Sequence, residues 1–320
     1  LLYLLRNPTN LSEALNENAL AGGDNSARAI ILAVLRTAAN GWSDELTPLW
    51  AQLNQHQKLD ALLPTPAPKA RREILNFPNK EGDMLKATLE LPAEAPRAYA
   101  IFAHCFTCGQ SSRAATRITN ALAKQGIATL RFDFTGLGKS EGDFADTSFL
   151  TNTQDLVAAA DYLASEYAAP SILIGHSLGG AAVLASAHKI PSVKAIATVG
   201  APADPTHVHH LFEQHIDEIK ANGSAEVSLA GRPFKIGKRF LEDVENHCQP
   251  CHIGNLKRDL LILHSPTDDI VGIDNAAAIY TAAKHPKSFI SLTEADHLLM
   301  KPGAAEQAAS LIAAWVTRSL

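Results

Sequence analysis

The sequence predicts an α/β protein with a mostly parallel central sheet, helices on both faces, a cap insertion and a small helical appendage at the N-terminus. Three observations predict it. After residue 70, short runs rich in β-branched and aromatic residues alternate with longer helical stretches, which is the pattern of strands joined through crossover helices. Two strand-like runs come first with no helix between them, so the sheet begins antiparallel. One interval, residues 201–255, is far longer than an ordinary connection and marks the insertion.

Taken in order, "LSEALNEN" and "SARAIILAVLRTAANG" (26–41) space their apolar residues as helices do, and Gly41 supplies a stop. They define a helical appendage over 1–62. "LLPTPAPKA" carries three prolines at alternate positions, which favours an extended connector, and the linker is placed at 63–70. The main domain spans 71–320. Its strands are "REILNF", "MLKATLEL", "AYAIFAH", "IATLRFDF", "SILIG", "KAIATVG", "DLLILHS" and "KSFISLT", with helices at about 112–125, 152–167, 177–189, 274–284 and 303–318.

Composition narrows the function classes. A chain of 320 residues, 46% hydrophobic and 19% charged, suits a soluble protein with one large core or two unequal ones. With a net charge of −5 and no basic cluster, no nucleic-acid partner is expected. No apolar run reaches the roughly 20 residues of a membrane-spanning helix. Four cysteines are too few for a disulfide framework, and no secretory signal opens the chain, so a cytoplasmic location is expected. The first residue is Leu1 rather than Met, which reads as a processed, trimmed or incomplete product.

The chemistry concentrates at "SILIGHSLGGAAVLAS" (171–186), where Gly175-His176-Ser177-Leu178-Gly179 joins a buried strand to a helix. A turn this tight needs glycines where side chains would collide, and it sets the serine hydroxyl at the positive end of a helix dipole. The G-x-S-x-G pattern resembles the nucleophile elbow of the α/β-hydrolase superfamily. A serine needs a base, and the base needs an orienting group. "LLILHSPTDDIV" offers Asp268 just after a strand, with Asp269 as the alternative, and "SLTEADHLLM" offers His297 after the next. The order Ser177, Asp268, His297 is the superfamily's order. For the oxyanion, the Leu178 N–H is one expected donor. "AIFAHCFTCGQ" resembles the H-G-F-T-G of cinnamoyl-esterase-like hydrolases with Cys105 in place of the glycine, so Phe106 is the other. Asp133, in "LRFDFTGLGKSEG", is expected to tie down loops beside the site. In the cap, Leu211, Phe212, Val227, Leu229, Phe234 and Phe240 are available to line an apolar substrate pocket.

Residues 70–320 resemble the hydrolase half of bacterial proteins in which an α/β-hydrolase domain precedes an OsmC-like domain. The likeness rests on "HCFTC", "LRFDFTGLG", "GHSLGG" and "HSPTDDIVG". Since the sequence stops at "AAWVTRSL", the peroxide role tied to the OsmC-like partner is not expected. The first forty residues resemble the C-terminal end of the ADP-ribosylglycohydrolase family, matching its metal-binding segment at Gly22-Gly23-Asp24 but carrying Asn25 and Ser26 afterwards. With the other carboxylates missing, no metal site is expected there. The appendage is expected to pack on the hydrolase or to mediate homo-oligomerisation.

Two C-x-x-C pairs, Cys105/Cys108 and Cys248/Cys251, fit a haem-attachment or zinc pattern by spacing, but free thiols are the expected state. His207 and His210 lie one helical turn apart without a completing ligand. No cofactor or metal is expected. The reading that follows is a serine hydrolase acting on short to medium acyl or aryl carboxylic esters. Thioester hydrolysis uses the same machinery. The rival from another class is a hydrolase scaffold kept as a non-catalytic binding module.

Overall fold

The structure, a computed structural model, describes residues 69–105, 109–229 and 231–320. The helical appendage, most of the linker, Gly22-Gly23-Asp24, Phe106 and Cys108 lie outside the described residues.

Eight strands form one sheet: β1 (Arg71–Pro78), β2 (Met84–Leu91), β3 (Ala98–Ala103), β4 (Ile127–Phe132), β5 (Ile172–His176), β6 (Ala195–Val199), β9 (Asp259–His264) and β10 (Lys287–Ser291). Their spatial order is β1-β2-β4-β3-β5-β6-β9-β10. Only β2 runs against its neighbours, pairing antiparallel with both β1 and β4, while every later pairing is parallel. All eight are the strands the sequence predicts. Parallel strands buried on both faces are apolar along their whole length, and this sheet obeys the rule by alternation. Ile101, Leu173, Leu260 and Ile262 enter one core, whereas Phe102, Ile172, Ile174, Leu261 and Leu263 enter the other.

Helices close both faces. On the first lie α2 (Phe149–Glu166) and α3 (Leu178–Ser186), and on the second α1 (Arg113–Ala123) and α8 (Ala304–Trp315). Local signals start two of them. The Ser112 hydroxyl accepts from the Ala115 N–H at 3.3 Å, and Ser148 and Thr151 form a reciprocal capping box. Helix α7 (Asp274–Ala282) joins β9 to β10.

Between β6 and β9 the insertion contains a 3₁₀ segment (Pro205–Leu211), α4 (Ile216–Asn222), the hairpin β7 (Ser224–Leu229) and β8 (Arg232–Gly237), α5 (Lys238–Asn246) and α6 (Gln249–Gly254). The hairpin was not foreseen. It closes with Leu229 opposite Arg232 and Gly231 at φ 74°, a left-handed turn residue at a position that suits glycine.

The free-thiol expectation is corrected here. Cys248 and Cys251 are bonded to each other, Cys105 is disulfide-bonded as well, and no free cysteine remains among the described residues. A three-residue spacing across the first turn of α6 brings the Cys248 and Cys251 Cα atoms to 5.4 Å, inside the range a disulfide spans.

Candidate active site

The elbow is built by backbone constraint. Ser177 sits between β5 and α3 at φ 55°, a conformation that costs a non-glycine residue free energy and that the surroundings must impose. Its N–H donates to the Val199 carbonyl at 3.0 Å, and its carbonyl accepts from Gly180 N–H at 2.8 Å. The glycines are required. A Cβ on Gly175 would lie 2.3 Å from the Gly179 carbonyl oxygen, and one on Gly179 would lie 2.3 Å from that of Ala103. The strand, the helix and the β3 loop meet without room for a side chain, and the serine hydroxyl is left at the helix N-terminus. As the first residue of α3, Leu178 carries an N–H with no acceptor inside the helix, where the predicted oxyanion donor belongs.

Two side chains from distant segments converge on that hydroxyl, His297 directly and Asp268 through it. His297 Nδ1–H donates to Asp268 Oδ2 at 2.8 Å, which leaves Nε2 as the acceptor facing Ser177 Oγ at 3.1 Å. The neighbouring Asp269 is exposed whereas Asp268 is buried, so the pair of candidates resolves to Asp268. Its other oxygen accepts from the N–H groups of Ile270 (3.0 Å) and Val271 (2.8 Å). Burial would push the Asp268 carboxyl up, but the His297 bond and charge and those two N–H donors together hold it below the ordinary carboxylate range. The group therefore stays an anion beside the imidazole. Gly200, at φ 54°, keeps this pair clear, because a Cβ there would stand 3.2 Å from Asp268 Oδ2 and 3.4 Å from His297 Nδ1.

Three histidines around the site carry roles that sequence reasoning missed. His176 is buried, and its Nε2–H donates to the His297 carbonyl at 2.7 Å, clasping the histidine loop to the end of β5. Burial, and then the nearby His297 ring, push its pKa down to about 4, so it acts as a neutral donor. His264, at the end of β9, donates from Nε2 to the Val271 carbonyl at 2.7 Å and so fixes the turn that presents Asp268. His104 donates from Nδ1 to the Cys105 carbonyl at 2.8 Å, and burial lowers its pKa as well. The only sequence signal for any of them was position, in that each ends or follows a strand at the carboxyl edge of the sheet.

Asp133 ties loops as expected. It accepts from the Gln110 N–H at 2.7 Å and the Lys139 N–H at 3.1 Å, joining the segment after β3 to the one after β4. Behind it, buried Arg131 bonds Glu90 at 2.7 Å and the Gln110 carbonyl at 2.8 Å.

The pocket residues divide. Phe212, Val227, Leu229 and Phe240 are 2–3% exposed and belong to the same core as the sheet face, so they offer almost no surface to a substrate. That is a correction: long apolar side chains in the insertion are consumed in attaching it to the body. Phe234 is half-buried against Phe144, and Leu211 is 41% exposed. His207 donates from Nε2 to the Ile270 carbonyl at 3.0 Å and His210 from Nδ1 to the His207 carbonyl, so both rings hold backbone.

A strand-turn-helix serine, an acid after β9 and a histidine after β10, on a sheet of this order, define a class, and the chain belongs to the α/β-hydrolase superfamily as a serine hydrolase. Residues 94–227 match the family described as "Serine aminopeptidase, S33". Among solved structures, an esterase domain from a Rhodothermus marinus protein is 48% identical, covers 78% of this chain and 98% of its own, and superimposes with a TM-score of 0.65. Est1E from Butyrivibrio proteoclasticus, solved with ferulic acid, is 20% identical over 77% of this chain and 98% of its own, TM-score 0.62, a likeness of fold. The mouse mitochondrial palmitoyl-protein thioesterase ABHD10 is 28% identical over 240 residues, 69% of this chain and 78% of its own. Among the described residues, no helix is long and apolar enough to cross a membrane.

Proposed function

We propose that this protein is a carboxylesterase that cleaves short to medium acyl or aryl esters through an acyl-enzyme. Ser177 Oγ attacks the ester carbonyl as His297 Nε2 takes its proton across the 3.1 Å contact. The imidazolium then protonates the departing alcohol. Asp268 holds the ring's tautomer and stabilises its positive charge. The Leu178 N–H faces the developing oxyanion, together with the Phe106 N–H assigned from the sequence pattern. Water, deprotonated by the same imidazole, releases the acid in the second half of the cycle.

The observation that carries the reading is the unbroken hydrogen-bond chain from Asp268 through His297 to Ser177. The 48% identity to an esterase domain supports the ester as substrate. A second reading, thioester hydrolysis, is favoured by the 28% identity to a palmitoyl-protein thioesterase. Both share the acyl-enzyme and differ only in the leaving group. A panel of p-nitrophenyl acyl esters, aryl esters and acyl thioesters of matched chain length separates them. The first reading expects the highest kcat/KM on oxygen esters of short to medium chain. Preference for the thioesters would replace it with the second, and turnover of neither would end both.

A further inference from the structure

We propose that Cys248 and Cys251 form a reversible thiol–disulfide exchange site that reacts with small thiols of the glutathione class. The bond closes a loop of sequence separation three. Loop-closure entropy shrinks with loop length, so a bridge this short constrains the unfolded chain least, and a structural role explains it poorly. Its surroundings suit chemistry. Both cysteines are exposed, and exchange requires that an external thiolate reach one of the two sulfurs.

The thiols would also stay together once reduced. Cys251 N–H and His252 N–H donate to the Cys248 carbonyl at 3.1 and 3.4 Å, independently of the sulfurs. Between the cysteines, Gln249 is fully buried, and its Nε2–H donates to the Ala181 carbonyl in α3 at 2.9 Å while its Oε1 accepts from His247 at 2.6 Å. The turn is therefore pinned to the body by a residue that reduction does not touch, and the two thiols remain apposed for reoxidation. His247 and His252 flank the pair in sequence, and their rings stack at 4.8 Å, with His188 at 5.2 Å from His252.

The exchange balances in two steps. A thiolate RS⁻ attacks one sulfur, forming an RS–Sγ mixed disulfide and breaking the Sγ–Sγ bond, and the second cysteine leaves as a thiolate that takes a proton. A second RS⁻ then attacks the RS sulfur, yielding RSSR and the protein dithiol. Oxidised glutathione reverses both steps.

The test equilibrates the folded full chain in buffers of graded glutathione to glutathione-disulfide ratio, quenches with iodoacetamide and maps peptides by mass spectrometry, with circular dichroism recorded alongside. The 248–251 peptide is expected to gain two alkyl groups as the ratio rises and to lose them on return, with an unchanged spectrum. Cys251→Ser is expected to trap one glutathione on Cys248. Alkylation of the pair only in urea, or only together with loss of the native spectrum, would overturn the proposal.

Discussion

His176→Gln is the substitution that tests the clasp on the histidine loop most quantitatively. The wild-type imidazole is buried at 2% exposure and donates to the His297 carbonyl, and its folded pKa is lowered from 6.5 to about 4, first by burial. Above pH 6.5 the ring is neutral in both folded and unfolded chains, so it adds no pH dependence. Between pH 6.5 and 4 the unfolded chain binds a proton that the folded chain refuses, so stability falls as pH falls. At 1.36 kcal/mol per pKa unit, the loss reaches about 3 kcal/mol near pH 4, a large part of the 5–15 kcal/mol typical of a folded domain. Glutamine does not titrate, and its amide can still offer an N–H to the carbonyl. Urea unfolding at pH 7 and pH 4 therefore should show a wild-type acid loss larger than the variant's by about 3 kcal/mol. His104, whose pKa burial also lowers, adds an acid loss of its own in both proteins. Equal acid losses would refute the assignment of His176 as a buried neutral donor.

Two further outcomes follow from the site. Asp268→Asn keeps the side chain's shape but removes the anion that fixes the His297 tautomer, and kcat on an ester substrate should drop by about 10⁴ with little change in KM, measured by steady-state kinetics beside a thermal melt that shows the fold retained. Gly200→Ala places a methyl 3.2 Å from Asp268 Oδ2 on a residue at φ 54°. The left-handed backbone costs about 1–2 kcal/mol, and a displaced acid–histidine pair lowers kcat by up to about 10². A melt and an ester assay on the same preparation check both, and wild-type kcat in this variant would contradict the crowding argument.

Much of the fold was legible because this sheet is buried on both faces. Runs such as "ILIG" and "LLIL" are apolar throughout, which few other contexts explain. The three catalytic side chains were legible for a related reason, since each follows the end of a strand and they occur along the chain as a hydroxyl, a carboxylate and an imidazole. What escaped was decided by three-dimensional neighbours. Nothing in "GHSLG" says that the histidine reaches a carbonyl 121 residues away. The β7–β8 hairpin alternates clearly only over "SAEVSL", too short a stretch to tell a strand from an irregular apolar segment. Its Val227 and Leu229 read equally well as pocket or as core until packing assigned them to core. C-x-x-C spacing fits a thiol pair, a metal site and a disulfide alike, so Cys248 and Cys251 needed coordinates. Asp268, by contrast, is the acid the sequence already prefers over Asp269, and it is the carboxylate that faces inward, where the turn supplies two N–H donors.

The central claim is that Ser177 is made nucleophilic by the His297–Asp268 pair, and labelling with a fluorophosphonate probe followed by peptide mapping tests it most directly. The probe should attach at Ser177 alone, and Ser177→Ala should abolish labelling and lower ester kcat by on the order of 10⁵–10⁶ with an unchanged circular dichroism spectrum. Labelling at another residue, or near-normal ester turnover by the folded Ser177→Ala variant, would contradict it.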